Sequence, residues 1–394
     1  MTQIPVRNPH TGDIDYAFEE LTKSELASKI SRLRENQVDW SSLEVSDRGE
    51  ILTQFADGLA RHKDQLAQAL CVDTGRWRLS LMEVDALEAI TRSRVNQAIV
   101  TLQTKRMKSE SDDISHLQVF VPYPVVGVIS PWNYPLILSF LDAVPALLAG
   151  CSVIIKPSEI TPRFIEAVNQ VLSDTVELGV VVDVVPGTAS TGNNLIDLVD
   201  VINFTGSVET GRQVATRAAN QLKPAFLELG GKDPAIVLES ADIERAAQAI
   251  LHCATVNTGQ ACFSIERVYV HEALASKFIH LISSLAEEIS LNTEDPAQGA
   301  IGPIISGKQI QIIDQHLNDA REKKARFLTG GAIEQHGGSW LRPTVVTDVD
   351  HSMLLMRKET FAPIIPIMTF KEPSEAVYLA NDSEYGLSAA IFGD

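Results

Sequence analysis

The chain has 394 residues, enough for two or three domains, and its 45% hydrophobic and 21% charged content is that of a globular protein able to bury large cores. Its 33 basic and 51 acidic residues give a net charge of −18, which excludes a partner bound through its phosphate backbone, so no nucleic acid is expected. Four scattered cysteines (Cys71, Cys151, Cys253, Cys262) form no CxxC or Cys/His cluster, which argues against a disulfide framework or a metal site and for a reducing, cytoplasmic setting.

The N-terminus has no apolar core or cleavage pattern of a secretion signal. Residues 23–40, 46–69 and 80–104 carry apolar side chains at helical spacing, with Ser46 or Asp47 as the cap of the second helix. Residues 106–113 are polar and charged, after which 116–121 alternate like an exposed strand until Pro122 and Pro124 stop it. From Val125 strands and helices alternate: strands over 125–129, 153–156, 181–185 and 201–204, with helices reaching 148, over 162–178, near 194 and over 207–220. Such alternation implies a parallel, doubly wound sheet with ligands at the strand C-termini. Within it, residues 136–155 are apolar apart from Asp142, a few small polar residues and Pro145, and nearly long enough to span a bilayer. Pro145 and Gly150 divide the run, so a buried helix and a short strand are expected and no membrane span. After Gly231 a second α/β unit begins, with helices over 242–253 and 273–289 and strands over 268–270, 326–328, 340–345 and 364–370.

Three stretches carry chemistry. Gly259-Gln260-Ala261-Cys262-Phe263 follows a helix with an Asp242 cap and puts one cysteine on a loop; a lone cysteine is ordinarily a small buried hydrophobe. Phe226-Leu227-Glu228-Leu229-Gly230-Gly231-Lys232 sets an acid in an apolar run, where partial desolvation would raise its pKa and suit it to general-base work. Ile129-Ser130-Pro131-Trp132-Asn133-Tyr134-Pro135 braces an amide between prolines, able to donate to a developing oxyanion.

Together these stretches resemble the aldehyde dehydrogenase superfamily, which carries a Pro-Trp-Asn-aromatic-Pro turn, a Glu-Leu-Gly-Gly-Lys segment and a Gly-Gln-x-Cys nucleophile in that order. Asn8-Pro9-His10-Thr11-Gly12, Lys156-Pro157-Ser158-Glu159, Phe204-Thr205-Gly206-Ser207, Lys358-Glu359-Thr360-Phe361 and 381–387 match further motifs, so the resemblance covers essentially the whole chain. It implies two doubly wound α/β domains: a Rossmann-like NAD-binding domain over 1–105 and 123–230 and a catalytic domain over 231–394. Residues 106–122 would form an oligomerisation arm of a homodimer or homotetramer, although their alternation fits a plain edge strand equally well.

The implied reaction is oxidation of an aldehyde to the acid, with Cys262 as nucleophile, Asn133 as oxyanion donor and Glu228 as the base that hydrolyses the thioester. NAD is the implied cofactor, with NADP tolerated, and the implied contacts are Ser130, Trp132, Lys156, Ser158, Glu159, Gly206, Ser207, Gly211, Leu229, Glu359 and Phe361. Glu159 would accept hydrogen bonds from the adenosine ribose and repel a 2′-phosphate. Ala189, where many members have glycine, removes the loop at Gly187 from the phosphate contacts. Unaided, Glu359 beside Lys358 reads as a surface ion pair. Tyr134, Leu138, Leu141 and Phe263 match the aldehyde tunnel and point to an uncharged aliphatic or aromatic substrate. Rival readings are an acylating reductase, against which Glu228 argues, a semialdehyde-specific relative, and a silent binding protein that keeps the fold. Members of the family continue beyond a strand like 389–394 with elements that include a Pro-Phe-Gly-Gly loop and an interface strand. The expectation is therefore a C-terminally incomplete catalytic domain with an unpaired edge at Phe392, low activity and no strand-exchange dimer.

Overall fold

A two-stranded sheet, β1 (Gln3–Arg7) and β2 (Ile14–Glu19), opens the chain in the computed structural model, which describes residues 3–108 and 114–394. Helices α1 (Lys23–Ser42), α2 (Val45–Arg61), α3 (Lys63–Thr74) and α4 (Trp77–Thr101) follow. A capping box starts α1: the Thr22 hydroxyl accepts from the Glu25 N–H while the Glu25 carboxylate accepts from the Thr22 N–H at 2.8 Å. Residues 46–69 are not one helix, because His62 (φ −99°, ψ 14°) leaves helical geometry between α2 and α3. The cap residue of α2 is Glu44, and neither Ser46 nor Asp47 takes that position.

Strand β3 (Lys105–Lys108) pairs antiparallel with β4 (Ser115–Gln118), and every residue of both is exposed. The strand expected over 116–121 stops at Gln118, which pairs with Lys105, the first residue of β3. Residues 109–113 of the expected arm lie outside the described residues.

The chain divides into two units, the first made of the described residues of Met1–Val6, Ile14–Asp73 and Trp77–Glu228. It contains β5 (Val125–Ile129), α5 (Pro135–Phe140), α6 (Ala143–Leu148), β6 (Ser152–Lys156), α7 (Phe164–Asp174), α8 (Val176–Gly179), β7 (Val182–Val184), α9 (Ala189–Leu198), β8 (Val201–Thr205), α10 (Val208–Ala219) and β9 (Ala225–Glu228). These strands form a parallel sheet in the order β7-β6-β5-β8-β9. The chain winds from β5 outward to β7 and then returns to β8, so the topological switch point lies between β5 and β8. Val126, Val128, Val153 and Ile155 pack with Leu136, Phe140, Phe164 and Val168 in one core. The long apolar run thus becomes two short helices and a buried strand, and among the described residues no helix is long and apolar enough to cross a membrane.

The second unit, Arg7–Asp13, Thr74–Arg76 and Leu229–Asp394, holds β10 (Asp233–Val237), α11 (Ile243–Thr255), a 3-10 turn (Val256–Gly259), β11 (Ile265–His271), α12 (Glu272–Glu287) and α13 (Gly307–Glu322). Then come β12 (Arg326–Phe327), β13 (Ile333–His336), β14 (Gly338–Leu341), β15 (Thr344–Thr347), α14 (Leu354–Arg357), β16 (Ile364–Phe370), α15 (Pro373–Asn381) and β17 (Ala390–Phe392). The sheet order is β12-β15-β16-β11-β10-β17, parallel except for β12, with β17 at one edge. Val268 and Val270 enter one core and Tyr269 the other, the alternation of a strand buried on both faces. Residues 340–345 do not form one strand: Trp340 pairs in the β13–β14 hairpin, Thr344 begins β15, and Pro343, which has no N–H to donate, lies between.

Candidate active site

Helix α11 starts on Asp242, whose carboxylate accepts from the Arg245 N–H at 3.1 Å, and its end delivers the chain into a tight turn. Asn257 (φ 54°), Thr258 (φ 59°) and Gly259 (φ 67°) are successively left-handed, and a Cβ at Gly259 would collide with the Ala362 carbonyl. Gln260 is buried and holds the loop from inside: its Nε2 donates to Asn257 O (3.1 Å) and Pro303 O (3.3 Å), and its Oε1 accepts from Ile305 N (2.9 Å). The Gly-Gln of the motif is thus the frame that presents Cys262, half-buried, just before β11. Burial raises the Cys262 pKa, hydrogen bonds from the Cys262 and Phe263 N–H groups oppose the rise, and the charges of Glu359 and Asp233 add to it. The thiol is therefore the resting form, and a nearby positive charge would be needed to favour the thiolate.

Loop 358–361 meets the two glycines of the Glu-Leu-Gly-Gly-Lys segment. Glu359 is not part of a surface ion pair: exposed Lys358 pairs with Glu384 at 2.5 Å, whereas Glu359 Oε1 accepts from Gly231 N at 3.2 Å. A Cβ at Gly230 would strike the Glu359 carboxylate, so glycine is what permits this approach. Burial, with the Glu266 charge behind it, pushes the Glu359 carboxyl up to about 8. Glu266 holds the loop itself: its two oxygens accept from Thr360 N and Phe361 N at 2.7 Å each, and its partner is the buried Lys232 ammonium at 2.5 Å. Phe361 has φ 55°, a left-handed conformation that these bonds stabilise. Leu229 is half-buried in the same unit and Phe263 is exposed.

In the first unit, Asn133 is buried in the turn between β5 and α5. The start of α5 is held by Glu83 of α4, whose carboxylate accepts from Leu136 N (2.7 Å) and Ile137 N (3.0 Å), fixing the helix that leads from Asn133. Tyr134, Leu138 and Leu141 are half-buried along one side of that helix and its extension. Glu228 ends β9, an edge strand, and is exposed; the expected desolvation is overturned because the last residue of an edge strand faces water.

The C-terminal ends of β5, β6 and β8 carry the expected cofactor residues. Ser130 is buried, its hydroxyl 2.7 Å from that of Ser139, and the Trp132 carbonyl accepts from Thr161 Oγ1 at 3.4 Å. Lys156 Nζ donates to Pro157 O and Gly187 O at 2.9 Å each and lies 3.5 Å from half-buried Glu159, with burial lowering its pKa. Ser158 is buried, and its hydroxyl accepts from Ile160 N at 3.3 Å. Helix α10 starts on exposed Ser207, which accepts from Thr210 N at 3.3 Å, directly after Gly206, and Gly211 N donates to Ser207 O at 2.9 Å. Helix α9 differs: the Glu20 carboxylate already occupies its start, accepting from Thr188 N (3.0 Å), Thr188 Oγ1 (2.5 Å) and Thr191 Oγ1 (2.6 Å). Against the effect of burial, those bonds lower the Glu20 pKa. An anion is thus already seated where the Gly187 loop was set aside as a phosphate contact.

A sequence model described as the Aldehyde dehydrogenase family matches residues 1–394. The chain belongs to the aldehyde dehydrogenase family. It is 49% identical to the proposed aldehyde dehydrogenase PutA of Anabaena variabilis, with a TM-score of 0.98 over all of this chain and 84% of that one. The betaine aldehyde dehydrogenase of Staphylococcus aureus, solved with NAD+, is 29% identical at a TM-score of 0.94, covering 100% of this chain and 80% of the other. A proposed succinate-semialdehyde dehydrogenase [NADP(+)] of Mycolicibacterium smegmatis is 35% identical over 94% of this chain and 72% of its own length. The protein is thus an α/β, NAD(P)-dependent aldehyde dehydrogenase.

The residues of this aldehyde dehydrogenase fit a dinucleotide. The Gly206–Ser207 start of α10 lies at the switch point with its side chain exposed, and Glu159 projects a carboxylate beside the end of β6. Three acids with positioning roles, Glu20, Glu83 and Glu266, escaped the sequence reading. Glu266 left a signal, an acid beside an arginine inside the apolar strand run 265–270. Glu20 and Glu83 left none, since acids are common in loops and on helices.

Proposed function

We propose that this enzyme oxidises an uncharged aliphatic or aromatic aldehyde to the carboxylic acid, with NAD as the preferred cofactor. The sulfur of Cys262 attacks the aldehyde carbon and forms a thiohemiacetal, whose oxyanion accepts hydrogen bonds from the Asn133 amide and the Cys262 N–H. Bound NAD(P) supplies the hydride acceptor, and its cationic ring favours the thiolate that burial disfavours. Collapse of the thiohemiacetal leaves a thioester on Cys262, and exposed Glu228 takes a proton from the water that hydrolyses it. Ser130, Trp132, Lys156, Ser158, Glu159, Gly206, Ser207 and Gly211 of the NAD-binding domain, and Leu229, Glu359 and Phe361 of the catalytic domain, would hold the cofactor. Tyr134, Leu138, Leu141 and Phe263 would line the aldehyde's path.

The observation that carries the reading is the Cys262 sulfur, half-buried on a loop braced by the buried Gln260 side chain. The exposed β3–β4 ribbon suits an oligomerisation arm of a homodimer or homotetramer, and four free thiols suit the reducing cytoplasm. The test is NADH formation with a panel of aldehydes. Cys262→Ala is expected to abolish it while leaving NAD binding intact; measurable turnover by that variant would remove Cys262 from the chemistry.

A further inference from the structure

One acid in the apolar run 136–155 has no part in the frame above. Leu141 (φ −56°, ψ −40°) and Asp142 (φ −93°, ψ −27°) keep right-handed helical dihedrals beyond the end of α5. Asp142 therefore lies four residues after Leu138 and eight after Tyr134, on one helical face. Residues 134, 138, 141 and 142 are half-buried, whereas Leu136, Ser139, Phe140 and Ala143 are buried. The half-buried face is apolar or aromatic except for this carboxylate. Asp142 occupies the cap position of α6, yet its side chain makes no capping bond and accepts no hydrogen bond among the described residues. Burial raises its pKa, and the charge of the Glu228 carboxylate raises it further. A half-buried carboxylate whose charged neighbour is another carboxylate is a charge without a counter-ion, and a ligand's charge is felt strongly there.

We infer that Asp142 is the charge filter of the aldehyde site, rejecting substrates that carry a carboxylate and accepting neutral or cationic ones. The inference rests on the reading of the Tyr134, Leu138 and Leu141 face as substrate lining. A semialdehyde would bring a third negative charge toward Asp142 and Glu228, whereas an ammonium group would relieve their repulsion. At the effective dielectric of a partly buried site, a charge within several ångströms is worth roughly tenfold or more in selectivity.

The experiment compares kcat/KM for three aldehydes of matched length, a neutral alkanal, a quaternary-ammonium aldehyde that cannot cyclise, and an ω-carboxy aldehyde. It uses the wild type, Asp142→Asn, Asp142→Glu and Asp142→Lys, with NAD affinity of each followed by quenching of tryptophan fluorescence. Wild type is expected to disfavour the carboxylate substrate by roughly tenfold or more relative to the alkanal. Asp142→Asn should narrow that ratio, Asp142→Lys should invert it, and Asp142→Glu should restore it, with NAD affinity unchanged. A wild type that prefers the carboxylate substrate, or an Asp142→Asn variant with an unchanged ratio while it still oxidises the alkanal, overturns the inference. If the wild type oxidised only the quaternary-ammonium aldehyde, the proposed uncharged substrate would fail while rejection of the carboxylate stood; if Cys262→Ala retained turnover, the Cys262 mechanism would fail and the Asp142 ratio would be unaffected.

Discussion

Glu228 and Glu359 are both glutamates that the motifs single out, and the fold treats them in opposite ways. Glu228 closes an edge strand and stays exposed, in contact with the solvent that it is proposed to activate. Glu359 turns inward against the backbone of Gly230 and Gly231, accepts one N–H, and is pushed by burial up to about 8. One is proposed to activate water and the other to hold the cofactor, and residue type has no part in the difference.

The largest break in that contrast comes from Glu228→Gln. Steady-state turnover should fall by roughly 10²–10⁴ because a general base is lost. Stopped-flow traces should keep a burst of NADH, since hydride leaves before the thioester is hydrolysed; wild-type turnover in the variant would return Glu228 to a surface residue.

Removing the support of the buried region should show as stability. In Glu266→Ala, the buried Lys232 ammonium loses its counter-ion and keeps only the Thr360 hydroxyl at 3.2 Å, and Thr360 and Phe361 lose their common acceptor. Urea unfolding should report a loss of about 3–5 kcal/mol. Glu266→Gln should fold better yet raise the KM for NAD more than it lowers kcat, the pattern of a displaced cofactor loop.

The pH response sharpens the contrast further. Glu359 has a folded pKa of about 8 against an ordinary value of 4.5, so between those values the folded protein holds a proton that the unfolded chain has released. Stability from this group is present below pH 4.5 and is lost as pH rises toward 8, with a slope of up to ~1.4 kcal/mol per pH unit. Glu359→Gln should flatten that part of the stability curve measured by denaturant titration; an equal slope in both proteins would mean that Glu359 is not held protonated.

The smallest effect belongs to a half-buried acid that already faces Lys156. Glu159→Gln should raise NADP use relative to NAD by about two- to fivefold, because Lys156 already offsets part of this charge and solvent screens it further. The ratio of the two kcat/KM values checks it, and an unchanged ratio would remove Glu159 from the ribose site.

The sequence by itself determined the family, the α/β alternation and the loop that carries Cys262, because these depend on local features: prolines and glycines that set turns, a capping Asp242, and periodic apolar residues. It also marked Asp142 as the one acid in an apolar run. Only the tertiary structure decided that Glu228 is exposed, that Glu359 is half-buried, that Glu20 seals α9 while α10 stays open, and that Glu266 holds loop 358–361. Burial and partner choice join residues far apart in the chain, 94 positions for Glu266 and Thr360 and 168 for Glu20 and Thr188, and no local pattern encodes such pairings.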